Sequence, residues 1–432
     1  MKFNLKSLIT SHSYAIIMAF GAVITTIKLI LFASYVAPED FNAYVIPLSL
    51  GAFLAFCLSL GLVESTTKLF SRLHEEKNDL IVIGSYRYIL PILLKRTILL
   101  CGLVTIFITF FANRSIFWGL LIVVIAMIMA ASTLLASMQR GTMKTNELAI
   151  TSLLRAIMSL FAIFVGYSFS PNYGPIIGEI VSQTLSLLIG FTLLLKSHDM
   201  SYQELFTVSL SRLSKSISQG HGLKLSLFIA YLIMSTPLYL DRYYFELIYP
   251  ISELAPYSLC AIFLSSSYLV FNTLFQRSGP LMIIKYKSGT SPFAVMGMAV
   301  KTSLAGTLCL TVFFGIVILI YVFGWAESLF TKYLVSLDML LLVFLISILN
   351  CTAIFEGIFL SFDQEKGLMQ SSFFYFTCLL MLGGINFLFS FSLLNFLSGY
   401  VVVKIAHLIY ILKIQVGYAK NYVNSQVINS KI

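Results

Sequence analysis

Lys28, Arg155, Arg242 and Lys404 each fall inside, or at the edge of, a segment apolar enough to cross a bilayer. A cation at the centre of a membrane helix costs about 2.5–3.5 kcal/mol on insertion scales, so such residues usually face a polar cavity or a partner. The chemistry that suits four of them is anion binding. Lys or Arg in a low-dielectric cavity attracts a phosphate far more strongly than at a surface. Two acids share the apolar segments. Asp241 adjoins Arg242, and Glu356 lies about one turn from the end of its segment. Both are candidates for a carboxylate that takes up H+ or Na+.

Each position also has a structural reading. Lys28 is close enough to Pro38 to snorkel toward headgroups. Arg155 has Glu147 two turns earlier as a partner. Asp241 and Arg242 point about 100° apart on a helix, pair poorly, and could form a solvated helix end with Glu246. Lys404 shares one helix face with Tyr400 and His407 and could make an interhelical contact. Asn386 and Gln183 read as interhelical hydrogen bonds, and Glu64 with Lys68 as a pair at a helix end.

The elements that must position these residues are membrane helices. The chain has 432 residues, of which 59% are hydrophobic and only 11% charged. Soluble domains carry about 25% charged residues, so lipid is the solvent here. Twelve segments are long enough to span. They cover 13–36, 44–63, 90–112, 116–137, 148–169, 175–195, 223–245, 256–276, 296–323, 338–360, 371–391 and 394–413. Lys95 and Arg96 suggest that a separate cytoplasmic helix precedes the third. The first segment is too long for a cleaved leader, so it reads as a retained span. With the N-terminus in the cytoplasm, 22 of the 28 lysines and arginines fall on the cytoplasmic side, and the opposite loops hold only Arg114 and Lys332. The bias places both termini in the cytoplasm. It also accounts for most of the net charge of +10 without a nucleic-acid partner.

The longest polar connection divides the spans six and six. It begins with Ser201 and Glu204 at capping-box spacing, followed by Phe206, Leu210, Leu213 and Ile217 at helical spacing against Arg212 and Lys215. The pattern predicts an amphipathic linker helix over 201–222, between an N-terminal bundle (1–200) and a C-terminal bundle with a cytoplasmic tail (223–432). The halves echo each other weakly. Asp40 and Tyr44 open the second span as Glu253 and Tyr257 open the eighth, an offset of 213 residues that carries Lys28 onto Asp241. A six-plus-six division suits parallel repeats.

The segment Ala37-Pro38-Glu39-Asp40-Phe41-Asn42-Ala43-Tyr44, then Leu60-Gly61-Leu62-Val63 and Lys68, resembles the start of the O-antigen (Wzx-type) polysaccharide flippases, within the multidrug/oligosaccharidyl-lipid/polysaccharide (MOP) exporter superfamily. Leu240-Asp241-Arg242 is similar to the same family. Asn42 and Ala43 stand where that family often has glycine, and Ser59 where it often has an acid. The resemblance implies an all-α polytopic membrane protein, with twelve transmembrane helices in two six-helix bundles (MATE-like). It implies an inner-membrane translocase for undecaprenyl-pyrophosphate-linked oligosaccharide, working beside other polysaccharide-assembly proteins. Lys28, Arg155, Arg242 and Lys404 would hold the substrate, and Asp241 and Glu356 would couple to H+ or Na+.

Two rivals remain. A multidrug or cation antiporter of the same superfamily should concentrate acids rather than bases in its cavity. A glycan polymerase should carry large outer loops or clustered His, Arg and Asp. No P-loop, nucleophile elbow or catalytic carboxylate pair is present. The six cysteines and five histidines form no metal-ligand spacing, so neither enzymatic activity nor a cofactor is expected.

Overall fold

The computed structural model describes residues 5–59, 70, 73, 74, 76–110, 115–207, 209, 211, 229, 230, 232, 233, 236, 239, 241–362 and 364–429. Among these residues there are fourteen α-helices and no strand. This is what lipid requires, since each helix satisfies its backbone groups internally. Two units divide the chain, Met1–Phe228 and Ile229–Ile432.

Unit 1 contains α1 (Leu5–Tyr35), α2 (Pro38–Ser59), α3 (Asp79–Phe110), α4 (Ile116–Gly141), α5 (Thr145–Phe169) and α6 (Gly174–Ser197). Helix α2 starts six residues before the expected span. Pro38 suits the first helical position, and Glu39 and Asp40 complement the helix dipole. Helix α3 is one element from Asp79 onward, so Lys95 and Arg96 lie within it rather than in a separate preceding helix. Arg96 donates to the carbonyl oxygens of Leu58 (3.0 Å) and Ser59 (3.5 Å) of α2.

Helix α1 packs on α5, α5 on α6, and α4 against α2, α3 and α6. The α5–α6 pair is the tightest, and glycine is the reason. A Cβ at Gly166 would run into the backbone of Gly174, one at Gly174 into Gly166, and one at Gly178 into the carbonyl of Ala162. Ala162-x-x-x-Gly166 thus faces Gly174-x-x-x-Gly178, the small-residue spacing that lets membrane helices approach closely.

The expected capping box is present. Ser201 N–H donates to Glu204 Oε2 (2.7 Å), and Glu204 N–H to Ser201 Oγ (3.3 Å). It opens a single 3₁₀ turn, Glu204–Phe206. Arg87 of α3 holds that turn by donating to the Leu205 carbonyl (2.6 Å) and lying over the Phe206 ring. The rest of the predicted linker helix, with Leu210, Leu213 and Ile217, lies outside the described residues. So do Leu60 to Lys68 and Leu240.

Unit 2 contains α7 (Asp241–Ile248), α8 (Ile251–Lys287), α9 (Pro292–Val322), α10 (Glu327–Lys332), α11 (Leu337–Leu349), α12 (Thr352–Ser361), α13 (Glu365–Phe389) and α14 (Leu393–Asn429). The expected spans map onto these in order. The seventh is represented by α7 and scattered positions before it, and the tenth by α11 plus α12. Asn350 and Cys351 break the tenth span, which reads as continuous in the sequence. Helix α14 runs past the expected end at 413. Tyr418 shares a hydrogen bond with Tyr286 (2.6 Å) and stacks on Phe362.

Leu304, Leu308, Val312 and Ile316 form an exposed stripe on α9, spaced one turn apart. Such a stripe is unfavourable in water and natural in lipid. Among the described residues, eight segments are by length and composition able to cross a membrane.

Candidate functional site

In unit 1 the first cation is not alone. Lys28 of α1 reaches three side chains from three other helices. Its Nζ donates to Ser159 Oγ of α5 (2.7 Å), Glu179 Oε2 of α6 (3.0 Å) and Tyr44 OH of α2 (3.2 Å). Lys28 is 4% exposed and Glu179 5%. The contact is a buried ion pair. Glu179 is fully solvated by protein. Tyr44 OH (3.0 Å) and Ser159 Oγ also donate to Oε2, while Gln183 Nε2 donates to Oε1 (3.0 Å). A buried carboxylate persists as an anion when its acceptor sites are filled in this way.

Arg155 lies one turn before Ser159 on α5. The spacing puts Arg155 on the same face of α5 as Ser159, and the acid that acts on it electrostatically is Glu179. The two cations and one acid leave this cluster with a surplus of one positive charge. Phe32 packs edge-on to Tyr44 (5.3 Å) and to Phe164 (5.6 Å), forming an aromatic wall beside the network.

Unit 2 brings its residues together in two groups. In the first, Tyr257 OH of α8 donates to Asp241 Oδ2, and the Arg242 backbone N–H donates to Asp241 Oδ1 (2.7 Å). Asp241 thus accepts from one backbone and one side-chain donor, with the buried Arg242 beside it. The Phe245 ring stands edge-on to Tyr257 (4.7 Å). Tyr249 OH, in the turn between α7 and α8, donates to Asn386 Oδ1 of α13 (3.0 Å), so Asn386 bonds a turn rather than a neighbouring helix. Gln183 differs, since it bonds within its own helix.

The second group gathers at the break between α11 and α12. Lys404 Nζ donates to Asn350 Oδ1 (3.2 Å), and Asn350 Nδ2 donates to Ser267 Oγ of α8 (3.0 Å). The ammonium thus sits at the carbonyl end of α11, where the helix dipole favours a cation. It also lies near the rings of Tyr375 (5.3 Å) and Tyr400 (5.8 Å), whose hydroxyls bond each other (2.8 Å). His407 stacks on Tyr375, with Glu356 Oε1 4.0 Å from its Nδ1. The two cations and two acids of these groups, Arg242 and Lys404 with Asp241 and Glu356, balance one another.

The weak repeat has a structural counterpart. Lys28 contacts Tyr44, and Asp241 contacts Tyr257, at the same offset in each unit. Among the described residues, no group of three or more His, Cys, Asp or Glu could hold a metal ion.

Sequence reasoning passed over Glu179 and Ser159, and noted Tyr257 only as the echo of Tyr44. Glu179 carried a usable signal, because an acid inside an apolar span is as costly as a cation there. Ser159 carried none, since serine is common in membrane helices, and the repeat that marked Tyr257 did not show its contact with Asp241.

No family model matches the sequence, and no curated protein resembles it at a significant level. Solved structures do. An inward-facing multidrug resistance MATE family transporter of the MOP superfamily superposes with a TM-score of 0.60 at 13% identity, over 94% of this chain and 95% of the other. The fold is that of the MATE transporters. A eukaryotic MATE transporter shares it with a TM-score of 0.64 at 15% identity, over 97% and 98% of the two chains. So does a MOP superfamily transporter from Pyrococcus furiosus, described as having a binding pocket of reverse polarity (0.56, 15% identity, 94% of each chain). The MATE fold is thus present as twelve transmembrane helices in two six-helix bundles.

Proposed function

We propose that this chain is a flippase that carries an undecaprenyl-pyrophosphate-linked oligosaccharide, of the O-antigen type, from the cytoplasmic to the periplasmic leaflet of a bacterial inner membrane. The observation that carries the reading is the net-cationic cluster in unit 1, where Lys28 and Arg155 outnumber Glu179 at mid-span. A pyrophosphate supplies the matching negative charge, while the prenyl chain remains in lipid. Alternating access is the transport mode that the MATE fold suits. Arg242 and Lys404 would contact substrate in unit 2, and Asp241 and Glu356 would exchange H+ or Na+ between states.

A second reading has its own observation. A structure sharing the fold is described as a multidrug resistance transporter, and the candidate residues of unit 2 pair two acids, Asp241 and Glu356, with two cations, Arg242 and Lys404. A cation antiporter would use Asp241 and Glu356 and have no need of Lys28 or Arg155.

The test is reconstitution of the purified protein into liposomes, with a fluorescent farnesyl-pyrophosphoryl disaccharide as cargo. Translocation that Lys28→Ala and Arg155→Ala abolish, with both variants still inserting, supports the flippase. Full activity in both variants sinks it. Ethidium exchange that needs Asp241 and Glu356 but neither cation moves the assignment to the antiporter. In cells, deletion should remove the surface polysaccharide ladder and leave single-repeat lipid in the cytoplasmic leaflet.

A further inference from the structure

Three oxygens enclose the Lys28 ammonium at 2.7, 3.0 and 3.2 Å, from Ser159, Glu179 and Tyr44. So held, it cannot serve an incoming anion without leaving Glu179. The two partners tolerate that separation differently. When Lys28 departs, Glu179 keeps three neutral donors, the hydroxyls of Tyr44 and Ser159 on Oε2 and the amide of Gln183 on Oε1. The carboxylate therefore remains satisfied as an anion. Lys28 in turn loses its one counter-charge, and a desolvated ammonium without a counter-charge is strongly unfavourable. The incoming group must replace what Glu179 supplied.

A singly charged group gains little by this exchange. It trades one charge contact for an equal one and gives up its own hydration. A group with two charges can satisfy Lys28 with one and Arg155 with the other. Arg155 is positioned for this, because it lies one turn from Ser159 on the same face of α5.

From this geometry we infer that Glu179 is an internal competitor for Lys28 that sets a minimum charge on the cargo. A pyrophosphate diester, with two charges, displaces it. A phosphodiester, with one, does not. The inference rests on the anionic-cargo reading above and names the residue that makes it selective. Discrimination of this kind comes from a repulsive element built against the wrong ligand.

The experiment measures binding of two probes to the purified full chain, farnesyl-pyrophosphoryl-glucose and farnesyl-phosphoryl-glucose. The wild type should prefer the pyrophosphoryl probe by about tenfold or more, the scale of one close charge pair. Glu179→Gln removes the competitor and keeps the amide within reach of Tyr44 and Ser159. It should bind the phosphoryl probe about tenfold more tightly than the wild type, shrinking the preference. Glu179→Asp, which retains the charge on a shorter arm, should move the ratio the same way by less. It also keeps the test open should the glutamine variant not fold. An unchanged ratio in both variants, with binding of both probes still dependent on Lys28, overturns the role of Glu179 alone. Binding of neither probe, or equal binding to Lys28→Met, overturns the anionic-cargo reading itself.

Discussion

Removing one member of the Lys28–Glu179 pair should cost more stability than removing both. The two side chains are 5% and 6% exposed. Losing one partner of such a pair leaves an uncompensated charge and typically costs about 3–5 kcal/mol, whereas replacing both with uncharged groups of similar volume is often neutral. The local contacts place this pair at the lower end. In Lys28→Met the carboxylate keeps the Tyr44, Ser159 and Gln183 donors, and in Glu179→Gln the ammonium keeps the Tyr44 and Ser159 oxygens. Each single variant should therefore lose about 3 kcal/mol and the double variant about 1 kcal/mol or less, a coupling of about 5 kcal/mol or more. The reporter is built in. Trp118 lies in α4 of unit 1 and is 8% exposed, while Trp325 is in unit 2 and 78% exposed. In a Trp325→Phe background, Trp118 fluorescence during detergent-to-SDS titration follows unit 1. Single variants that each lose under about 1 kcal/mol, or a double variant whose loss equals their sum, would refute the description of the site as a buried, charged pair.

Gly178→Leu should abolish folding of unit 1, because its new side chain meets the Ala162 carbonyl and backbone cannot yield as a side chain can. Gly417→Leu, which meets nothing nearby, serves as the control in a size-exclusion assay of expressed protein. Asn350→Leu should lower stability by about 1–3 kcal/mol, because Lys404 loses its acceptor and Ser267 its donor. Replacing Lys404 by Met in the same chain should recover much of that loss; no recovery would mean that the two do not interact. His198, just beyond the end of α6, lies beside Asp79 (3.2 Å), and its pKa is lowered, burial outweighing the nearby Asp79 carboxylate. The unfolded chain then takes up the proton first, so stability should fall as pH drops below about 6.5, the ordinary histidine value. His198→Gln should flatten that dependence between pH 7.5 and 5.5; an unchanged slope would assign it to another group.

Legibility in the sequence followed the physics of each feature. Lipid offers no hydrogen bonds, so a span must be a long apolar helix, and composition alone indicates where such helices lie. Helix starts with a local chemical cause could also be read, as in the reciprocal Ser201–Glu204 cap. The intramembrane charges stood out because burying them is expensive. Their partners did not. Lys28 and Glu179 are 151 positions apart and meet only because α1 and α6 both pack against α5, the second through glycines that let backbones touch. The same holds for Lys404 and Asn350. No proline or glycine marks the break after Leu349, so the tenth span reads as unbroken until α8 and α14 supply Ser267 and Lys404 to the Asn350 side chain. The sequence by itself determined which residues must be helical and in lipid, and which charges needed an explanation there. Tertiary packing decided which of those charges are neutralised, because a partner's identity depends on helix rotation and approach, and these are set by side-chain fit between elements distant in the chain.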